Sequence, residues 1–586
     1  MHGAHDNHGD RAIVSVFATV IIRMLRVPAG LSALVGVLSP RGNVSKIEAL
    51  IRVGALSRAQ NVRARCAGRA WGGNLDSHRS ARVAFGFSWL WASIVAVPAL
   101  AQDAAAPVAG AAPLSVAEAA KHPRVARHRA SRSRARNRDQ GEGFSGATNT
   151  QGTTTSRGLN AKPATTATSL PAGTFDLGNG LTFQLNYTSE SAGNPVGGIR
   201  QGVAYADQIL FGVDADLSRI VGIPGGTFHV IGTQRDGRSL ARDFIGNSLA
   251  PQEIFDGSEN TRLTILTYEQ KALNDRLDIE VGRLPAQGAF LVSPLYCNFQ
   301  NVGVCGSPEI VFNDTGFTFF PTSTYGGHVK YFFGDRTFLH VGAFEVQPKT
   351  ELASDHGVDF SLSGATGVVV PVELGYTTTA ANDPLPRNYG IGALIDESTY
   401  SDPVTDIAGR NALLSGLPAQ SRFGRTLVYG RFDQTVWKPD ATATRALQVF
   451  GVASGGTSGR QTQDYQLEAG AVMTGPFTSR PFDTAGFVVT DQRYSALGLA
   501  NVRAARASLG LGSSDVAADE ILMELNYGIQ ISPSTRLTPN LQYILNPDQN
   551  NEPFRVRPIS NAFVIGAKLS VDLFTLAGLA RGPGSL

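Results

Sequence analysis

The side chains in this 586-residue chain that could do chemistry are dispersed polar groups within apolar alternation, not a compact catalytic set. Asp214, Asp216, Asp278, Glu280, Lys330, His340, Glu373, Tyr429, Arg431, Asp433, Gln466, Glu468, Glu524, Asn526, Gln530, Gln542, Lys568 and Asp572 each occupy the polar phase of a two-residue period. Carboxylates, amides and guanidinium groups in such numbers donate to and accept from hydroxyls, and aromatic rings match apolar ring faces. Enzyme chemistry has little support. There are 10 His, and Gly-x-Ser-x-Gly, His-Glu-x-x-His and Cys-x-x-Cys are all missing. No cofactor and no metal are expected.

Strands must position these groups. Leu181, Phe183, Leu185 and Tyr187 alternate with Thr182, Gln184, Asn186 and Thr188. Ile521, Met523, Leu525, Tyr527 and Ile529 oppose Glu524, Asn526, Gly528 and Gln530. Successive strand residues point to opposite faces, so each segment has one apolar and one polar face. Sixteen segments follow this pattern: 181–188, 208–217, 226–234, 262–271, 276–284, 325–333, 337–346, 367–376, 387–396, 426–437, 445–453, 465–474, 484–494, 521–532, 535–545 and 562–574. Most approach the 9–11 residues that a tilted strand needs to cross a bilayer. Pro371 is at odds with a paired strand over 367–376.

Short connections such as Gly334-Asp335-Arg336 and Pro533-Ser534 alternate with long ones, of which 285–324 is the longest. Short periplasmic turns and long extracellular loops mark a transmembrane antiparallel β-barrel. Closure satisfies every backbone group in hydrocarbon, and sixteen strands enclose an aqueous channel. The expected fold class is therefore all-β, a sixteen-strand outer-membrane barrel.

Charge is uneven along the chain. Residues 1–101 hold 12 Lys/Arg and 4 Asp/Glu, and 102–170 hold 10 and 4, which leaves 29 and 40 in 171–586, a net of −11. An acidic main body is a poor nucleic-acid partner. Residues 1–78 form an N-terminal extension with no place in the fold. Residues 79–101 match a signal peptide: Arg79 and Arg82, an apolar run from Val83 to Val97, then Pro98-Ala99-Leu100-Ala101 before Gln102. A signal anchor is the other reading. Residues 102–170 read as a disordered basic linker, with seven Arg in 124–138. They suit a solvated tether or contact with an anionic cell-wall polymer. Residues 171–586 make the barrel domain.

An exported chain leaves Cys66 behind and keeps Cys297 and Cys305, eight positions apart in the 285–324 loop. The periplasm is oxidising, so a disulfide is expected. Metal binding is the alternative, but two thiols without a nearby His make a poor site.

Several stretches, taken in order, resemble the carbohydrate-selective porin family of the OprB type. They are Asp214 to Gly226, Tyr268-Glu269-Gln270, Glu280-Val281-Gly282-Arg283-Leu284 and Tyr429 to Gln434. Glu524-Leu525-Asn526-Tyr527-Gly528, Leu537 to Ile544 and Asn546-Pro547 complete the set. The resemblance runs from about residue 180 to 574. It implies passive uptake of sugars across the outer membrane, with sugars as permeating solutes and outer-membrane lipid as surroundings. A general porin for other small solutes is the alternative, and a homo-oligomer is admitted beside a monomer. By analogy with other sixteen-strand porins, the 285–324 loop folds into the lumen, where Arg283, Phe290, Tyr296 and Phe299 could form a constriction. In such barrels the last strand usually closes on an aromatic residue. Phe574 is the candidate here, although Thr575 to Leu586 continue past it.

Overall fold

The computed structural model describes residues 174–254, 260–439, 444–512 and 516–579. All lie in the unit Ala126–Leu586, and the other unit, Met1–Val125, lies outside them. The extension 1–78, the signal 79–101 and the basic linker 102–170 thus fall outside the described residues. Among the described residues no helix is long and apolar enough to cross a membrane.

Alternation produces strands throughout. β1 (Thr174–Asp176) is a short flap beside β2 (Leu181–Gly198). There follow β3 (Val203–Asp216), β4 (Gly226–Gly237), β5 (Thr261–Ala272), β6 (Leu277–Leu284), β7 (Thr324–Phe332), β8 (Thr337–Val346), β9 (Gly367–Thr377) and β10 (Arg387–Asp406). β11 (Ala419–Trp437), β12 (Ala446–Ser458), β13 (Gln463–Thr474), β14 (Thr484–Tyr494), β15 (Asp519–Ser532), β16 (Thr535–Leu545) and β17 (Ser560–Asp572) complete the wall. Each strand from β2 to β17 pairs antiparallel with the next, and β17 returns to β2 through Asp572↔Asn186 to Gly566↔Ala192. A closed sixteen-strand barrel results, each strand paired on both sides.

Register carries the alternation around the wall. Glu524 faces Gln542 on the inner surface, and Leu525 faces Leu541 on the outer. Phe211, Val281, Ile391, Leu525 and Ile565 are exposed outward, where hydrocarbon would meet them. Pro371 is accommodated in β9. The ladder to β8 lapses at Val370 and Pro371, while pairing with β10 continues through Leu394↔Pro371. Proline has no N–H to give, so only one neighbour can be served in full.

Three expectations need correction. The stretch 189–207 is not a loop, because β2 and β3 continue to a tip at 199–202. β10 and β11 likewise lengthen to 20 and 19 residues. Upper strand portions lie beyond the bilayer and need no lipid face, so their alternation fades in sequence. Finally, β17 stops at Asp572, whose carboxylate accepts from the Thr575 amide at 2.9 Å. Phe574 therefore sits in a helical turn against Phe175, at 5.7 Å between centroids.

The inner surface is not uniformly polar. Val369, Leu394, Leu427, Phe450, Val452, Val472 and Val488 point inward and are buried with Phe290, Tyr296, Phe299, Ile310, Val311 and Phe317 of the 285–323 loop. Each such side chain contributes on the order of 1.5–3 kcal/mol on burial. Opposite, Leu240, Ile245 and Leu249 of the β4–β5 connection pack on Ala192, Ala204, Leu522, Ile544, Ala562 and Val564. Two extracellular connections thus fold into the barrel and rest on apolar patches of its inner wall.

Candidate functional site

The lumen wall holds two sets of polar side chains. The first is a row crossing β2 to β11. Asp214 accepts from Gln184 Nε2 at 2.6 Å and lies 2.7 Å from His229 Nδ1. His229 Nε2 is 3.5 Å from Glu269, which pairs with Lys271 at 3.0 Å. Glu280 accepts from Thr267 Oγ1 at 2.7 Å and meets His328 Nε2 at 3.2 Å. Cross-strand register then places Asp278 opposite Lys330, Lys330 opposite His340, and His340 opposite Glu373. Both Asp278 oxygens are buried without a hydrogen-bond partner, and Lys330 Nζ lies 3.8 Å from the centre of the Phe338 ring.

Glu373 joins the row to its strongest pair. Arg431 grips it in a bidentate contact at 2.9 and 2.7 Å, and the Tyr429 hydroxyl donates to it at 3.0 Å. A planar guanidinium fork matches a carboxylate in this geometry. Glycines opposite make the room. A Cβ at Gly390 would sit 3.0 Å from Glu373 Cδ, and one at Gly392 would collide with the Tyr429 ring. Asp433, one step toward the periplasm, accepts from Asn388 at 3.2 Å.

The second set, on β13 to β17, grips the lumen loops. Glu524 accepts the Gln300 and Asn301 amides at 3.0 and 3.1 Å and the Asn301 side chain at 2.6 Å. Asn526 donates to the Asn298 carbonyl at 2.9 Å, Lys568 to that of Phe299 at 3.3 Å, and Gln542 to that of Pro251 at 2.9 Å. Gln466 accepts from the Ile310 amide at 2.9 Å and donates to Glu468 at 3.0 Å. These residues face the lumen, and Gln466, Glu524, Asn526, Gln542 and Lys568 each bond the backbone of a lumen loop.

Two candidates stand elsewhere. Asp216 caps the helical turn Leu217–Ile220 by accepting from the Ser218 amide at 2.9 Å, so the turn occupies it. Arg283 pairs across from Leu266 and Tyr325 on the outer phase of the wall. It therefore does not line a constriction: the period places it with Leu277, Ile279 and Val281, odd-numbered against inward Asp278 and Glu280.

The loop candidates Phe290, Tyr296 and Phe299 lie against the inner wall. Phe290 stacks on His340 at 3.9 Å between centroids, and Tyr296 and Phe299 pack on Phe450 at 5.5 and 5.8 Å. Cys297 and Cys305 are joined by a disulfide, with an S–S distance of 2.09 Å. Glu253 approaches Cys305 Sγ to 2.8 Å, but bridged sulfurs are not thiolates and make no metal cage. Pro294 of the loop is exposed, and Asp214, Lys271, Asp433, Gln530 and Arg536 on the wall are half-buried.

A family model described as "Carbohydrate-selective porin, OprB family" matches residues 200–573. The chain is similar to Porin B of Pseudomonas aeruginosa, with 29% identity over 408 residues, covering 67% of this chain and 87% of that one. It is also similar to the putative porin QuiX of Acinetobacter baylyi, with 28% identity over 424 residues, covering 67% and 89%. Among solved structures it resembles the high-pH structure of Pseudomonas putida OprB, at 28% identity and a TM-score of 0.61, covering 67% of this chain and 94% of that one. A closed barrel whose lumen carries a polar row, matched by that model over more than half its length, belongs to the OprB family of carbohydrate-selective porins of the outer membrane.

Proposed function

We propose that sugars diffuse passively along the polar row running from Asp214 to Asp433, beside the inserted 285–323 loop. The observation that carries this reading is the continuity of the row. Donors and acceptors succeed one another across ten adjacent strands and converge on the Glu373–Arg431–Tyr429 cluster. Neutral hydroxyls can exchange along such a series without a large desolvation cost at any one step. The acidic balance of 171–586, 40 Asp/Glu against 29 Lys/Arg, disfavours anions through its summed field. Among the predicted residues, Asp214 and Asp433 are half-buried and border the solute path, while Asp278, Glu280, Lys330, His340, Glu373, Tyr429 and Arg431 are buried in the wall and hold the row in place. Gln466, Glu524, Asn526 and Gln542 shape that path by holding the loops, and Glu468 accepts from Gln466.

Export begins with the 79–101 signal, so the mature chain starts at Gln102 and the basic 102–170 segment is a periplasmic tether. The chain acts as a channel and not as an enzyme.

Planar-bilayer recording on the purified protein tests the proposal. Glucose-sized sugars should permeate, and some should block ion current. Arg431→Lys and Asp433→Asn should change sugar block more than conductance. Passage of phosphate with no sugar flux would defeat the reading. Recovery of outer-membrane protein that still carries Phe85 to Val97 would defeat the assignment of the mature start.

A further inference from the structure

The wall is incomplete above β6. This strand has only eight residues, against about 9–11 for a full crossing, because the chain leaves at Leu284 for the lumen. β5 continues without it. Its last partner on β6 is Leu266↔Arg283, yet Thr261, Arg262 and Leu263 still pair with β4 on their other side. An open strand edge at this depth would leave backbone groups unpaired in hydrocarbon.

We propose that residues 353–363, extracellular by connectivity, form part of the barrel's lipid-facing wall and contact the acyl chains of the outer leaflet. The segment lies against the open edge of β5. The Leu263 amide donates to the His356 carbonyl at 2.9 Å, and His356 Nδ1 lies 2.8 Å from the Thr261 carbonyl. Gly357 runs so close that a Cβ there would collide with the Leu263 carbonyl.

Wall side chains satisfy the carbonyls of this irregular stretch. Asn260 donates to Ala353 and Asp355 at 2.8 and 2.9 Å, Arg283 to Asp359 at 2.6 Å, and Tyr325 to Phe360 at 3.2 Å. Arg283 also faces Asp355 at 4.0 Å and the Phe360 ring at 6.0 Å. This explains how an arginine on the outer phase stays 3% exposed. Non-helical backbone is tolerated at membrane depth only when its polar groups are met by protein, and here wall side chains meet the carbonyls of Ala353, Asp355, Asp359 and Phe360.

The segment turns three large apolar side chains outward without forming a strand. Val358, Phe360 and Leu362 are 61%, 49% and 64% exposed, and the polar Asp359, Ser361 and Ser363 between them are exposed as well. Exposed Val281, Val329, Val341 and Val368 lie on the outer face of the neighbouring strands, so the apolar belt continues across the patch. That continuity identifies acyl chains as the occupant.

Spin labels on the full chain in liposomes test this. Phe360→Cys and Leu362→Cys would be labelled in a Cys66→Ser background without reduction, with Val329→Cys as the belt control and Leu414→Cys as the extracellular control. Labels at 360 and 362 should match 329: accessible to oxygen and several-fold less accessible than 414 to a water-soluble nickel chelate. Chelate access equal to that at 414 would overturn the proposal. Protection from both reagents would also overturn it, by showing that a second copy covers the patch. Tyr325→Phe and Arg283→Ala should each raise chelate access at 360, and Tyr325→Phe serves if Arg283→Ala does not fold. No rise in a folded variant would remove these side chains from the wall.

Discussion

The Glu524 carboxylate on β15 and the Asn301 amide in the lumen loop meet at 3.1 Å, across 223 residues of sequence. Asn301 donates to the same oxygen a second time through its side chain, at 2.6 Å. One inward strand carboxylate thus fixes the loop that narrows the lumen.

Glu524→Ala should loosen that loop. Hydrogen bonds to a charged acceptor contribute about 1.5–3 kcal/mol each, and the two loop amides would be left unmet. Conductance and open-channel noise should rise while sugar block weakens, with Glu524→Gln intermediate. A single-channel record indistinguishable from that of the unaltered protein would refute the anchoring role.

Glu373 and Arg431 form a buried pair, so breaking it should cost more than deleting it. Arg431→Ala leaves a carboxylate uncompensated, at about 3–5 kcal/mol. The double variant Glu373→Ala/Arg431→Ala should recover much of that loss. Heating followed by gel mobility, which separates folded from unfolded barrel, reads both. A double variant no more stable than Arg431→Ala would contradict the pairing.

The Cys297–Cys305 bridge closes a small ring, so its contribution should be about 2–3 kcal/mol or less. Cys297→Ser/Cys305→Ser should still insert and conduct, since Glu524 and Asn526 hold the same stretch. Proteolysis near Pro294 should become faster. Alkylation of Cys297 or Cys305 in the unreduced protein would show that the bridge does not form.

Glu309 begins the short helix Glu309–Asp314 of the lumen loop. Burial holds its carboxyl well above the ordinary carboxylate range, and Asp548 adds repulsion in the same direction. A raised folded value favours the protonated form. The contribution to loop seating is therefore complete below the ordinary Glu range and is lost as pH rises through the raised value. Channel noise should increase with alkalinity, and Glu309→Gln should flatten that dependence. An unchanged pH profile in Glu309→Gln would assign the effect to another group.

What the sequence by itself determined is the wall. A period of two is local and needs no knowledge of neighbours, so all sixteen strands and the inward phase of Asp278, Glu373, Arg431 and Glu524 were legible. The resemblance carried by the Glu524–Gly528 and Leu537–Ile544 stretches extended this reading to the family. The tertiary structure decided what each inward group meets. Glu524 and Glu373 look alike in sequence, yet one binds a loop backbone and the other an arginine, because loop trajectories depend on contacts hundreds of residues apart. The inward valines at 452, 472 and 488 broke the polar phase for the same reason: they pack under a loop that only the folded barrel brings to them. Arg283 is the sharpest case. Its charge suggested a wet lumen, but pairing beside Leu266 turned it outward, where the carbonyl of Asp359 and the carboxylate of Asp355 supply the partners that water would otherwise have given.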